Sequence, residues 1–189
     1  MKKGYFISLE GSEGAGKSTQ NKRILSWLSA RGHVVVETRE PGGTLISEQI
    51  RRLLLDTRSA GLDALSELLL LFAARSQLVQ EVIRPALAEG KVVVCDRFTD
   101  ASYAYQGGGR QLGAATVASV EKLVLGNLRP DLTLLFDVAV EVGMKRVAGR
   151  GEADRFETES VRFFERVRNA YLERAAAEPL RFAVIDASR

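Results

Sequence analysis

Five short apolar runs punctuate the chain, each followed by a longer stretch in which apolar residues recur every three or four positions. The runs at 5–9, 34–38, 92–95, 132–136 and 182–185 predict strands. The run VVVC at 92–95 is apolar throughout, which predicts an interior strand covered on both faces. The intervening stretches predict helices over about 17–31, 45–55, 62–89, 114–125, 140–148 and 159–176. In the third of these, Leu65, Leu68, Leu69, Phe72, Val79, Val82 and Ile83 share one broad face, and Arg75 projects into the same stripe. Strands alternating with helices predict an α/β fold, a parallel sheet with helices on both faces. Glycines at 42–43 and 107–109 predict loops at element ends. No repeat, low-complexity tract or linker divides the chain, so residues 1–189 are expected to form a single domain.

Chemistry enters at the end of the first strand, where YFISLE runs into GSEGAGKS. This is the P-loop pattern: glycines permit a tight turn whose backbone N–H groups converge on phosphate oxygens at a helix N-terminus. Gly11, Ser12, Glu13, Gly14, Ala15, Gly16, Lys17, Ser18 and Thr19 are the expected donor-nucleotide residues. Lys17 reaches the β/γ-phosphates and the Ser18 hydroxyl serves Mg²⁺, a cation that takes hard oxygen ligands. A second signal closes the buried strand KVVVCDRF, which places Asp96 at the carboxyl edge of the sheet, where ligands of open α/β folds collect. Asp96 is a second candidate for Mg²⁺, and the planar fork of Arg97 matches a phosphate. The rival reading of Asp96 and Arg97 is a strand-end salt bridge.

Composition works mainly by exclusion. The 27 basic and 24 acidic residues give a net charge of +3 and are dispersed, which argues against a nucleic-acid stripe and leaves small anions open. A single cysteine, Cys95, sits within VVVC and reads as a core residue in a reducing compartment. With one cysteine and one histidine, His33, no His/Cys metal cluster can form, and His33 is given no role. No run approaches the roughly 20 apolar residues of a membrane span, and the N-terminal run is too short for a signal peptide. The expectation is a soluble, cytoplasmic protein.

P-loops are shared by GTPases, ATPases, motors and small kinases, so the motif alone names no reaction. The ordered set GSEGAGKS, TREPGGT, LLFAARSQ, CDRFTDASYAYQGGGR and RGEADRFE resembles the bacterial thymidylate kinase family over residues 11–157. The resemblance implies the five-stranded P-loop kinase fold and a homodimer. It also implies transfer of the ATP γ-phosphoryl group to thymidine 5′-monophosphate with Mg²⁺. Arg39 and Arg97 then become candidates for the acceptor phosphate, because both follow predicted strands; a surface salt bridge is the rival for Arg39. By resemblance Arg75 bonds the thymine base, Phe72 stacks on it with Leu71 as the competing neighbour, Ser102 meets the base edge and Gln106 closes over it. Tyr105 packs against the sugar C2′, and Glu13 takes the acceptor's 3′-hydroxyl.

Two features lie at the margins of this reading. A lid is expected at about 143–157, in GMKRVAGRGEADRFE, where Arg146, Arg150 and Arg155 flank a glycine-containing bend. Because GSEGAGKS carries no arginine, Arg150 and Arg155 are the expected catalytic cations, alongside Lys17, Arg97 and Asp96. The family pattern implies a further helix after VIDASR, so the flank beyond the last strand, where the adenine of ATP is expected near residues 186–188, is expected to be thin. The alternatives are another P-loop monophosphate kinase or a non-catalytic or switch-like nucleotide binder; the N-K-x-D guanine motif is absent from the sequence.

Overall fold

The computed structural model describes residues 4–148 and 154–188. Strands β1 (Tyr5–Glu10), β2 (Val35–Arg39), β3 (Val92–Asp96), β4 (Leu132–Asp137) and β5 (Phe182–Asp186) form one parallel sheet in the order β2-β3-β1-β4-β5. Each predicted strand is present within a residue or so of its expected bounds. The chain fills β2 and β3 on one side of β1 before crossing to β4 on the other, so the order reverses at β1 and a crevice opens at its carboxyl end.

Alternate residues of β1 and β3 feed two hydrophobic clusters. Phe6, Val93 and Cys95 pack with Leu68 and Phe72 of helix α3 (Ala64–Leu78) and Val117 of a later helix, α6 (Ala114–Leu125). Ile7, Leu9, Val92 and Val94 pack with Leu28 of α1 (Lys17–Ser29). Cys95 is fully buried, as its apolar neighbours implied, and burial raises its thiol well above the ordinary range. Helix α2 (Leu45–Leu55) starts where the Thr44 side chain accepts the Ser47 N–H.

Two expectations are corrected. The single helix over 62–89 is three pieces: α3, capped by the Asp63 carboxylate on Leu65 and Ser66 N–H, a wide π turn Val79–Ile83, and α4 (Arg84–Ala88). Pro85 has no N–H for the carbonyl one turn back, and the wide turn accommodates that gap. The glycines at 107–109 do not form a loop. They continue helix α5 (Thr99–Ser102) as a π-helical segment, Tyr103–Gly109, packed against α8 (Val161–Ala177). A Cβ at Gly109 would lie 2.5 Å from the Phe163 ring, so the close approach of the two helices requires glycine there. Helix α7 (Val140–Val147) precedes the residues outside the described set.

Candidate active site

The P-loop leaves β1 after Glu10 and enters α1 at Lys17. Gly14, at φ 70°, lies so close to α7 that a Cβ on it would sit 2.1 Å from the Gly143 carbonyl oxygen. The loop is thereby wedged between α1 and α7. Lys17 folds across it, its Nζ donating to the carbonyls of Gly11 at 2.9 Å and Ser12 at 3.1 Å. Burial, reinforced by the positive charge of Arg97, brings the Lys17 ammonium down to about 8.

A cleft of about 310 Å³ opens over this loop, and residues 13–19 form one end of it. The other end is built by β2, β3 and the α5 segment. Asp96 and Arg97 follow β3, and Arg39 ends β2 in register with Asp96. The rival strand-end pairing of Asp96 with Arg97 is not what forms. Arg97 Nη2 donates instead to Glu13 at 2.8 Å, and the Tyr105 hydroxyl donates to the same carboxylate oxygen at 2.9 Å. Burial works to raise the Glu13 carboxyl, but the charges of Arg97 and Lys17 prevail and hold it below its ordinary range. Glu13 therefore points toward the β3 end of the cleft rather than at the space above the loop.

Arg75 is 2 % exposed on the cleft wall. Its Nε donates to Glu40 at 2.6 Å and its Nη2 to Ser102 Oγ at 3.0 Å, while its buried Nη1 has no partner. Gln106 lines the same wall, its amide donating to Glu67 at 2.7 Å. Phe72 is placed differently from the expectation. Its ring lies in the core beneath the Arg75 guanidinium, 4.4 Å from ring centre to Cζ, and Leu71 takes the place on the cleft wall. Neighbouring helix positions differ by about 100° in direction, so only one of the two can face the cleft.

Arg39 lines the cleft and pairs with Glu48 at 2.9 Å, the surface salt bridge that was its rival reading. Arg51 also faces the cleft, which the sequence did not signal; within RRLLL nothing separates it from Arg52. Burial and the nearby charge of Arg39 depress the Arg51 guanidinium, with Arg97 adding to the effect. Glu40 is another unanticipated wall residue.

Of the expected lid cations, Arg150 lies outside the described residues. Arg155, expected to face the transferred phosphoryl, is instead 4 % exposed and turned away from the cleft. Its Nε donates to the Leu54 carbonyl at 2.8 Å and its Nη2 to Glu67 at 2.6 Å. Arg146 reaches the carbonyls of Gly14 at 3.3 Å and Ala187 at 2.8 Å, tying the P-loop to the segment after β5.

The donor set suits a small hard cation. Asp96 Oδ1 is buried without a partner and the exposed Ser18 hydroxyl borders the same cleft. Among the described residues no three His, Cys, Asp or Glu side chains cluster as a metal site. Mg²⁺ needs no such cluster, because it takes one or two protein oxygens and completes its shell with phosphates and water.

Known proteins are similar to this chain over nearly its whole length. The chain is 58% identical to the thymidylate kinase of Pseudomonas syringae pv. tomato over 98% of its own length and 89% of the relative's. It is equally similar to that of Ectopseudomonas mendocina, over the same shares of the two chains. The crystal structure of thymidylate kinase from Ehrlichia chaffeensis superposes with a TM-score of 0.80 at 35% identity, over 97% of this chain and 91% of that one. The model of the thymidylate kinase family matches residues 9–189, and on these grounds the chain belongs to that family of ATP-dependent nucleoside monophosphate kinases.

Proposed function

We propose that the chain transfers the γ-phosphoryl group of ATP to thymidine 5′-monophosphate, with the donor over the P-loop and the acceptor between β3, α3 and the α5 segment. The observation that carries this reading is that a single cleft brings together Lys17 of the P-loop and Arg97 at the end of β3. Two phosphates brought into line between them would have the charge on the transferred group neutralised from both sides.

Lys17 exchanges its loop carbonyls for donor phosphate oxygens. Arg97, with Arg39 and Arg51, holds the acceptor phosphate; Arg39 leaves Glu48 or shares it. The unpaired Arg75 Nη1 donates to a carbonyl of thymine, Ser102 and Gln106 border the base edge, and Leu71 supplies the apolar contact. Tyr105 packs at C2′ and Glu13 meets the 3′-hydroxyl. Ser18 and Asp96 would hold Mg²⁺, which would supply charge neutralisation at the donor phosphates. Residues 143–157 act as the lid, with Arg150 as its cation and Arg155 as its anchor.

The same reading includes a homodimer in the cytoplasm. Leu45, Ile46 and Leu53 of α2 and Leu65 and Leu69 of α3 are exposed on two helices that pack together, which supports a covered face. Among the described residues no helix is long and apolar enough to cross a membrane.

The test is Lys17→Ala. Phosphoryl transfer to thymidine monophosphate should disappear while calorimetry still detects binding of that acceptor. Loss of acceptor binding in a folded variant would contradict the division of the cleft.

A further inference from the structure

We propose that Tyr171 and Glu10, neither of which borders the cleft, are positioning residues that fix Arg97 for the acceptor phosphate. The inference rests on the reading of Arg97 as the acceptor-phosphate arginine.

Arg97 occupies φ 68°, the left-handed region that a non-glycine residue enters at a cost and keeps only when its surroundings hold it there. Two bonds hold the backbone: the Arg97 N–H donates to Leu9 O at 2.9 Å, and the Phe98 N–H to Glu10 Oε1 at 2.7 Å. Three hold the side chain. Nη1 donates to Gly11 O at 3.0 Å and to the Tyr171 hydroxyl at 3.2 Å, and Nη2 donates to Glu13. The Tyr171 hydroxyl in turn donates to Glu10 Oε2 at 2.8 Å.

One carboxyl group thus secures both the strained turn and the phenol behind the guanidinium. The relay needs a hydroxyl, because only a group that accepts and donates at once can link a cation to a carboxylate acceptor. Glu10 is 0 % exposed and Tyr171 1 %, so neither group is available to substrate. The named bonds occupy both Nη1 hydrogens and one on Nη2. A guanidinium carries five, and the remaining Nε–H and second Nη2 hydrogen form the fork that bidentate phosphate binding uses. Without the relay, the guanidinium keeps only Gly11 O and Glu13 and regains part of its rotamer freedom, which it must lose on binding.

Tyr171→Phe keeps the ring and removes only the relay. Its affinity for thymidine monophosphate, measured by calorimetry, should fall on the order of tenfold, with ATP affinity within about twofold of wild type. In an Arg97→Ala background the same substitution should have no further effect on the acceptor. Glu10→Gln, compared with wild type above pH 8 where the Glu10 carboxyl is ionised, retains an oxygen for Phe98 N–H but turns a donor toward the phenol, and should weaken the acceptor in the same selective way. Equal weakening of both nucleotides, or a Tyr171→Phe effect that persists without Arg97, overturns the proposal. Normal acceptor affinity in Tyr171→Phe, with Arg97→Ala impaired, overturns it while leaving the acceptor assignment standing. Normal affinity in Arg97→Ala overturns both.

Discussion

Arg75 and Glu40 meet at 2.6 Å with side chains 2 % and 4 % exposed, and each leaves one polar atom, Arg75 Nη1 and Glu40 Oε1, buried without a partner. A buried ion pair with spare donors and acceptors on a cleft wall is incomplete until a polar ligand arrives. The pair also explains how a cation is tolerated on the apolar face of α3: Glu40 neutralises it and the rings of Phe72 and Phe98 lie beside it.

Arg75→Ala is therefore expected to weaken thymidine monophosphate roughly ten- to a hundredfold, the worth of a hydrogen bond from a charged group, and ATP far less. Stability suffers less than the loss of an ordinary buried partner implies. Burial already raises the Glu40 carboxyl to about 7 against the pull of Arg75, so without the arginine it takes up a proton near neutral pH. Calorimetry with each nucleotide checks the split; equal weakening of both marks Arg75 as structural only.

Much of this was legible in the chain because parallel strands buried on both faces appear as apolar runs, and because the P-loop that carries Lys17, and likewise Asp96 and Arg97, directly follow such runs. What periodicity could not settle was direction within a helix that is apolar nearly all round. Leu71 and Phe72 are equally hydrophobic, and only tertiary packing decides which one faces the cleft. The π-helical path of Tyr103–Gly109 had no local signature, since three successive glycines favour a loop until α8 packs against them. Glu67 was readable in principle: a lone acid in LSELLLLF signals a buried partner, as Arg75 did.

Glu10 sets a pH dependence of stability. Burial, and next the charge of Asp100, raise its carboxyl to about 8, opposed by Arg97 and by its bonds to Tyr171 and Phe98 N–H. The folded chain then keeps a proton that the unfolded chain releases near 4.5, so this contribution is whole below that pH and is lost as pH rises toward 8. The slope is at most about 1.4 kcal/mol per pH unit for one proton. Glu10→Gln has no proton to lose, so the stability difference between variant and wild type should shift in the variant's favour from pH 5 to 8. A difference that stays flat in denaturant titrations across that range rules the titration out.

Tyr105 is held edge-on to Phe156 and Phe163 with its hydroxyl on Glu13, so its ring has little freedom to withdraw. Steric exclusion of one extra group from such a site is worth about 1–3 kcal/mol. Tyr105→Ala should lower the ratio of kcat/KM for deoxyuridine over uridine monophosphate by roughly ten- to two-hundredfold. Tyr105→Phe, which keeps the ring and drops only the Glu13 bond, should leave the ratio near wild type. If the two substitutions change it alike, the hydroxyl and not the ring is responsible.

The two arginines expected to act from the lid are expected to differ in what their removal costs. Arg155 is bound to Glu67, itself 0 % exposed, and to the end of α2, and Phe156 beside it borders the cleft. Its removal leaves a buried carboxylate whose remaining partners are Gln106 at 2.7 Å and Arg110 at 3.3 Å. Breaking a buried pair costs about 3–5 kcal/mol, and those remaining partners set the expected loss for Arg155→Ala toward the lower end of that range. Glu67→Gln, which keeps acceptor capacity on its oxygen, should lose less. Arg150→Ala should leave the melting temperature alone and slow the chemical step by about 10³ or more, the worth of a cation supplied to a transferring phosphoryl group. Single-turnover kinetics beside thermal melts distinguish the two. A normal chemical rate in Arg150→Ala, with a slowed one in a stably folded Arg155→Ala, would exchange the roles and require Arg155 to leave Glu67 during the reaction.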